Sequence, residues 1–464
     1  MTFKSAASRT AINTRTNNGM KTNHSSLNAN VDLFFAIGAS RGKDITSMFE
    51  RAYQTDRVTA LRTLAWARDV RGGAGERSTF RNLLRFVEAN HPNELEQMVR
   101  ITPEVGRWDD LLELTSAHGI KLAHDAIRVA LNSGNGLCAK WMPRKGPQAV
   151  ALTRSLGMTP KRYRKTIVGL TKVVETQMCA KDWTGINYEH VPSVAAGRYQ
   201  KAFGRHDTTG YGEYKAKLSK GEAKINASAV YPHNVIMNLR NGDATVATAQ
   251  WEALPNYVGD EMILPMVDVS GSMSCAVGGS QSIRGIDVAV SLGLYLADKN
   301  SGAFHDCFLT FSERSQIEVL KGSNIKDKFN QLSRAHWEMS TNLHSAFDAI
   351  LQVGTANQLT NADMPKYVLI LSDMEFNQCM ENDDSAMEMI KRKYASAGYD
   401  VPNVIFWNLH AREGNSPVTI NESGTALVSG FSPAIMESIL KAEEVTPMSI
   451  MLKAVNAERY QSIV

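Results

Sequence analysis

The sequence has few cysteines and no long apolar runs. Its five cysteines are far apart, are odd in number and include no Cys-x-x-Cys pair, so neither a zinc site nor a disulfide framework is predicted. No apolar run approaches the roughly 18–20 residues of a membrane-spanning helix. We therefore expect a protein without membrane segments, in a reducing, cytoplasmic setting.

Acidic residues are absent from two stretches of the chain. The first, residues 1–31, holds several Arg and Lys among many Ser, Thr and Asn, and it lacks the apolar core of a secretion signal. An organelle transit peptide is one interpretation of this composition. The Asn and Thr content and the poor helical periodicity favour a disordered polar arm, which we place at residues 1–29.

The second stretch without acidic residues, residues 126–174, carries ten basic ones. Because the whole chain has a net charge of only +4, the remainder is net negative. A basic island in an otherwise acidic protein suggests a polyanionic partner.

Residues 30–255 have the pattern of a helical domain. Apolar residues recur every three or four positions in 45–53, 57–68, 78–87 and 108–114, which is typical of amphipathic helices. Turn sequences such as Asn132-Ser-Gly-Asn-Gly136 separate them. Short helices joined by short loops predict stacked hairpins of the HEAT or armadillo type, although the sequence has no clean period.

Residues 256–464 have a different pattern, in which strands and helices alternate. Predicted strands at 262–267, 306–310, 367–371, 403–408 and 426–428 are interleaved with helices at 285–299, 343–353 and 383–397. Such alternation requires a mainly parallel sheet between layers of helices. Pro265 predicts an irregularity in the first of these strands. The fold class is therefore α + α/β, a helical domain followed by a Rossmann-like one.

Five oxygen-bearing side chains follow the predicted strands or precede the predicted helices. They are Asp268, Ser270, Ser272, Thr341 and Asp373. The carboxyl ends of parallel strands are where ligand sites form in open α/β sheets. Two carboxylates and three hydroxyls suit Mg²⁺ or Mn²⁺, with waters completing the octahedron. Asp-x-Ser-Gly-Ser alone is also typical of a turn that caps a helix; three oxygen-rich loops in the correct order favour the metal.

These residues and spacings resemble the metal-ion-dependent adhesion site of von Willebrand factor A domains. The resemblance implies that Ser270, Ser272 and Thr341 bind the cation directly. It implies that Asp268 and Asp373 orient waters or coordinate as well. In that family a carboxylate from a partner commonly fills the vacant position, so one cation holds another molecule.

Two enzymatic sequence motifs do not match these loops. A phosphatase of the Asp-x-Asp type needs a second carboxylate where this chain has Ser270. A nucleophile elbow needs Gly-x-Ser-x-Gly, and this loop reads Val-Ser-Gly-Ser-Met. The histidines are scattered. We expect a protein that is not an enzyme.

The basic island contains a predicted amphipathic helix that begins at Thr159-Pro160, an N-cap followed by proline. Its apolar face would run from Tyr163 to Met178. A solvated surface helix is the ordinary interpretation of a charged face. Cations crowded at a helix N-terminus with no acidic neighbours favour an external anion such as a phosphate backbone. The candidate RNA-binding residues are Lys140, Trp141, Arg144, Lys145, Lys161, Arg162, Arg164, Lys165 and Lys172.

Motifs in the helical domain extend the resemblance. Residues 65–77 (Ala-Trp-Ala-Arg-Asp-Val-Arg-Gly-Gly-Ala-Gly-Glu-Arg), 138–141, 192–195 and 229–233 are similar to a family that places a TROVE-like helical domain before a von Willebrand A domain. That order resembles the Ro autoantigen, whose ring of helical repeats binds misfolded and small noncoding RNAs. The Gly-rich part of 71–77 lacks the features of a phosphate-binding P-loop, and we expect a flexible helix–helix turn there.

The sequence thus predicts an RNA-binding protein of Ro-like architecture. Its helical surface would hold single-stranded ends or small structured RNA, and its metal site would take an acidic ligand or partner. The alternative is a protein-interaction scaffold, for instance a viral assembly or host-interaction factor, which acts through the metal site while the basic face is incidental.

Overall fold

The computed structural model describes residues 13–41, 43–277, 283–310, 313–332, 341–378, 383–410 and 414–464. Its helical part is built from short helices, as the apolar periodicity predicts. They are α1 (Ala29–Ile37), α2 (Thr46–Thr55), α3 (Arg57–Arg68), α4 (Ser78–Asn90), α5 (Leu95–Val105), α6 (Ala117–Asn132), α7 (Gly136–Trp141), α8 (Pro147–Ser155), α9 (Pro160–Leu170), α10 (Val174–Ala180), α11 (Ser193–His206), α12 (Thr208–Ser219), α13 (Pro232–Asn241) and α14 (Ala244–Glu252).

The predicted basic helix is shorter than its apolar pattern suggests. Thr159 caps α9 as predicted, since its side chain accepts a hydrogen bond from the amide of Arg162. The helix ends at Leu170, however, and α10 begins at Val174. Gly169 and the β-branched Thr171 weaken the helix at this point, and the Thr171 hydroxyl bonds to the carbonyl of Ile167. Val174 and Met178 therefore belong to a second helix.

A six-stranded sheet forms the carboxyl-terminal part. Its strands are β3 (Ile263–Val267), β4 (Cys307–Thr310), β5 (Ile317–Val319), β6 (Tyr367–Ser372), β7 (Asn403–Asn408) and β8 (Thr425–Ser429). They lie side by side in the order β5-β4-β3-β6-β7-β8. The helices here are α15 (Gly285–Lys299), α16 (Ile325–Leu332), α17 (Leu343–Ala356), α18 (Ala386–Ala397), α19 (Ile435–Leu440) and α20 (Pro447–Val455).

The sheet is parallel except at one edge, which confirms the predicted alternation. Among the described strands of this sheet, β5 alone pairs antiparallel, with β4, and the sequence did not predict it. The expected irregularity at Pro265 is absent on one side, because β3 and β6 pair in unbroken register along all five residues of β3. On the other side β3 pairs with β4 only at Met266 and Val267.

Residues 13–28 are ordered, which corrects the expectation of a disordered arm for that segment; residues 1–12 lie outside the described residues. An antiparallel hairpin, β1 (Asn13–Arg15) with β2 (Lys21–Asn23), packs on the carboxyl-terminal part. Its hydrogen-bond partners there lie more than 320 residues away along the chain, so no local pattern could indicate them.

The first helix also belongs structurally with the sheet. α1 packs against β8, where the Ser429 hydroxyl donates to the carbonyl of Phe34 at 2.6 Å. The Asn408 side chain donates to the carbonyl of Phe35 at 3.0 Å. One hydrophobic cluster runs from Met20 through the first helices to Ile463, and the helical and sheet parts therefore share a core.

Candidate functional site

The five candidate metal ligands lie in loops at the carboxyl edge of β3 and β6. Asp268 follows β3 directly, and its amide donates to the carbonyl of Leu371 in β6 at 3.0 Å. Asp373 follows β6, and Thr341 precedes α17. Parallel pairing of β3 with β6 is what brings the two carboxylates to one edge.

Hydrogen bonds fix the Asp268 carboxylate and its neighbouring loop. Its Oδ1 accepts from the amide of Ser270 at 2.9 Å, and its Oδ2 accepts from the hydroxyl of Ser372 at 2.5 Å. The hydroxyls of Ser270 and Ser272 are 3.0 Å apart. The Asp-x-Ser-Gly-Ser segment therefore folds into a compact turn in which the side-chain oxygens converge.

The site is deeply buried and carries like charges. Asp268, Ser270, Thr341 and Asp373 are each 4% exposed or less, whereas Ser272 is half-buried. Burial and the neighbouring Asp373 raise the pKa of Asp268 to about 6, because two nearby carboxylates disfavour one another's charge. A divalent cation would relieve this repulsion, and the oxygen-only donor set is of the kind that Mg²⁺ accepts.

Thr341 is tied to the loop that follows β6. Its hydroxyl lies 2.9 Å from the carbonyl oxygen of Glu375 and 2.9 Å from Oδ1 of Asn377. The amide of Glu375 in turn donates to Oδ1 of Asp373 at 3.3 Å. Between them Met374 has a φ of +65°, a strained conformation for a residue other than glycine. Such strain is found where a functional loop is held in one shape.

Within the described residues, no group of three or more His, Cys, Asp or Glu side chains is placed to hold a metal ion. Any metal at this edge of the sheet would therefore depend on the three hydroxyls as well as on the two carboxylates.

The basic island forms an exposed surface. Seven of its nine candidate residues are exposed: Arg144, Lys145, Lys161, Arg162, Arg164, Lys165 and Lys172. None of the seven forms an ion pair with a described residue, whereas Arg128 of the same island pairs with Asp125. Their positive charge is therefore not compensated within the described fold.

A groove of about 610 Å³ crosses this surface between α8 and α9. Four cations line it: Arg144, Lys145, Arg154 and Arg164. Its apolar lining includes Ala149, Val150 and Met158. Tyr163 and Ile167 face inward, as the helix periodicity predicts, and both are almost completely buried.

The other two candidates, Lys140 and Trp141, line a separate cavity of about 670 Å³, which we call the arginine cavity. Its cations are Arg41, Arg68, Arg77, Arg107, Lys140 and Arg198, and its carboxylates are Glu76 and Glu175. Its five arginines could not be predicted as a group, because they are dispersed from residue 41 to residue 198 with no local charge run. The motif at residues 71–77 was the one local sequence feature that could have indicated this cavity.

Ion pairs neutralise only part of the arginine cavity. Arg41 pairs with Glu76 at 2.6 Å, and Arg68 pairs with the buried Asp110 at 2.8 Å. Arg77, Lys140 and Arg198 pair with no carboxylate among the residues described. Burial lowers the pKa of Arg77, and the charges of Arg107, Arg81 and Arg68 lower it further, while Asp109 acts in the opposite direction.

Two polar atoms in this cavity point to a missing binding partner. Nη2 of Arg41 and Oε2 of Glu175 are buried without a hydrogen-bond partner in the described part of the chain. Buried polar groups ordinarily find partners, and a ligand or water is the usual explanation when they have none. Trp141 is less available than predicted, since the Arg107 guanidinium lies 3.5 Å from its ring centroid and covers one face.

Backbone hydrogen bonds connect the Gly-rich turn beside the arginine cavity to the end of α3. The amides of Ala74 and Glu76 donate to the carbonyls of Trp66 and Ala67 at 3.2 and 2.6 Å. A Cβ on Gly73 would lie 1.8 Å from the carbonyl oxygen of Trp66, so only glycine fits there. This turn positions Arg77 at the start of α4.

Comparison with known proteins supplies a family but no activity. Residues 16–116 and 139–261 match the family model described as domain of unknown function DUF2828. Residues 263–461 match that described as domain of unknown function DUF7788. Uncharacterized protein L728 of Acanthamoeba polyphaga mimivirus is 30% identical over 501 residues, covering 94% of this chain and 86% of that protein. The chain belongs to the family of this viral protein.

Among solved structures, the crystal structure of the Ro protein (RSR) of Deinococcus radiodurans matches 92% of this chain and 87% of its own. The sequence identity is 13% and the TM-score is 0.39.

No helix within the described ranges is long and apolar enough to cross a membrane.

Proposed function

We propose that this protein binds RNA, without catalysis, through the exposed basic surface of α8–α9 and through the arginine cavity. The observation that carries the proposal is the set of seven exposed cations that no described carboxylate neutralises. Phosphate backbones are the anions that such surfaces bind, by releasing condensed counterions. The TROVE-like and Ro-like motifs of the sequence agree with this proposal, and we expect the complex to form in the cytoplasm.

The two basic features suit different parts of an RNA. The α8–α9 surface is open and suits a structured RNA held by its backbone. The arginine cavity is concave, holds the orphaned atoms of Arg41 and Glu175, and suits a single-stranded end. Binding by charge and shape predicts tolerance of RNA sequence and a steep dependence on salt.

The decisive experiment reverses charge on the basic surface. A variant with Lys161, Arg162, Arg164 and Lys165 changed to Glu is compared with the wild type by filter binding of a mixed RNA pool at several salt concentrations. Each phosphate contact contributes about 0.7 (single strand) to 0.9 (duplex) to the salt slope, so losing four contacts lowers its magnitude by roughly 3.

A matched control reverses four exposed lysines outside the basic surface: Lys321, Lys326, Lys441 and Lys453. It changes the net charge equally, so it separates a local contact from long-range attraction. The control is expected to retain most of the affinity and slope. Equal RNA retention by the wild type and the basic-surface variant would contradict the proposal.

A second function is favoured by the oxygen-lined site at the edge of β3 and β6. Ser270, Ser272 and Thr341 would hold Mg²⁺ or Mn²⁺ directly, with Asp268 and Asp373 beside them, and the cation would take a carboxylate from an acidic ligand or protein partner. The convergence of the Ser270 and Ser272 hydroxyls beside the fixed Asp268 carboxylate supports this.

The metal function is separable from the RNA function by one substitution. Asp268→Ala is expected to abolish Mn²⁺ binding, measured by calorimetry on the full chain, while RNA affinity is unchanged. If the protein is instead a scaffold without RNA, RNA affinity stays at background in both proteins and only capture of the acidic partner depends on Asp268.

A further inference from the structure

The N-terminal hairpin lies against one side of the candidate metal site, where it contacts Thr341 and the loop after β6, both more than 300 residues away in sequence. The Thr16 hydroxyl donates to the carbonyl of Phe376 at 2.6 Å. The amide of Asn17 donates to Oε2 of Glu375 at 2.5 Å. The hairpin tip therefore binds the loop that carries Asp373.

Asn18 makes the contact that reaches a candidate ligand. Its Nδ2 donates to the Thr341 hydroxyl at 3.0 Å and to the carbonyl of Glu375 at 2.6 Å. Its own carbonyl accepts from the amide of Gln378 at 2.9 Å. Backbone and side chain of one residue thus span both loops, the one that holds Thr341 and the one that follows β6.

This contact constrains how the Thr341 hydroxyl can bind a cation. A hydroxyl has one hydrogen and two lone pairs. The hydrogen is directed to the carbonyl of Glu375 or the side chain of Asn377, and Asn18 takes one lone pair. One lone pair is left, and its direction is fixed by the other contacts.

The hairpin is anchored outside the site as well. The Arg15 guanidinium forms two hydrogen bonds with the Asp383 carboxylate at 2.6 and 2.7 Å. Met20 is 2% exposed, and the Thr22 hydroxyl donates to the carbonyl of Ser416 at 3.0 Å. The loss of Asn18 alone would therefore leave the hairpin docked, which makes its role testable.

We propose that Asn18 is a positioning residue of the metal site, and that cation binding and docking of the hairpin tip stabilise each other. The inference rests on the metal function proposed above. Groups that orient a metal ligand through a hydrogen bond typically contribute 10–100-fold to metal affinity. Coupling of two binding events is reciprocal, so the bound cation must hold the hairpin in place as strongly as the hairpin supports the cation.

The first test measures Mn²⁺ affinity by calorimetry on the full chain. Asn18→Ala is expected to bind Mn²⁺ about 10–100-fold more weakly than the wild type. Asn23→Ala is the matched control, because Asn23 lies in the same hairpin but donates to the carbonyl of Ser416. It is expected to bind like the wild type. Thermal unfolding without metal shows whether each variant is folded.

The outcomes distinguish failure of this inference from failure of the proposed metal function. If the wild type binds Mn²⁺ and Asn18→Ala binds equally or more tightly, Asn18 has no positioning role and only the metal site stands. If the wild type binds no Mn²⁺, both the metal site and the inference are wrong.

The second test measures docking of the hairpin directly, by the rate of trypsin cleavage within it. Arg15 and Lys21 are trypsin sites on the two strands, and Mn²⁺ is expected to slow cleavage after both in the wild type and in Asn23→Ala. In Asn18→Ala and Asp268→Ala the metal is expected to have no effect on cleavage. Metal-independent cleavage of a wild type that binds Mn²⁺ would overturn the coupling, as would faster cleavage when the metal is added.

Discussion

At the scale of single residues, Arg77 illustrates how a residue suited to binding an anion lowers the stability of the folded protein. Its guanidinium lies among Arg68, Arg81 and Arg107, and burial with these neighbours lowers its pKa. Arg77→Gln removes one of these like charges, so we expect an unchanged or higher melting temperature together with weaker RNA binding. Thermal unfolding and filter binding on the same preparation check both. A lower melting temperature at unchanged RNA affinity would assign Arg77 a purely structural role.

The sequence indicated residues of the candidate sites wherever they followed a local pattern. Asp268 and Asp373 were placed correctly at the edge of one sheet because each follows a buried strand. Arg198 and Asn18 could not be identified in this way, because their contacts come from tertiary packing alone. Trp141 was predicted to stack on a base, but Arg107 covers one face of its ring, a tertiary contact that no local pattern contains.

At the scale of elements, the turn between α3 and α4 provides a sharp test of packing. Gly73→Ala would place a methyl group 1.8 Å from a backbone carbonyl oxygen, and overpacking of this kind costs about 1–3 kcal/mol or more. Gly72→Ala is the control, since its nearest neighbour is a side-chain oxygen of Asp69 at 3.2 Å. Urea unfolding should show a large loss of stability for Gly73→Ala alone. Equal effects of the two would contradict the described turn.

Elements were predictable where one period persisted over a whole segment. The bounds of α3, α15 and β7 agree with the prediction to the residue. β5 has three residues and pairs at an exposed edge, which is too short for a periodic signal. The end of α9 was missed because its apolar spacing continues into α10, whereas backbone propensity stops the helix at Leu170.

At the scale of the whole molecule, the two parts are joined as one body. Arg240 pairs with Asp287 at 2.8 Å, and the Trp251 indole donates to Asp298 at 2.8 Å. One hydrophobic cluster joins the first helices, α13 and α14 to the sheet, while two further clusters lie within the helical part. We expect a single cooperative transition in calorimetry of the full chain, and a fragment of residues 256–464 alone should unfold at a lower temperature. Two well-separated transitions would show that the helical part and the sheet unfold independently.

The packing of α1 on β8 also sets the order of events during synthesis. Phe34 and Ser429, which meet in the folded protein, are 395 residues apart. At translation rates of about 5–20 residues per second, the first helix leaves the ribosome roughly 20–80 s before its partner strand exists. Until then its two phenylalanines, which are almost fully covered in the finished molecule, remain open to chaperones or to neighbouring nascent chains.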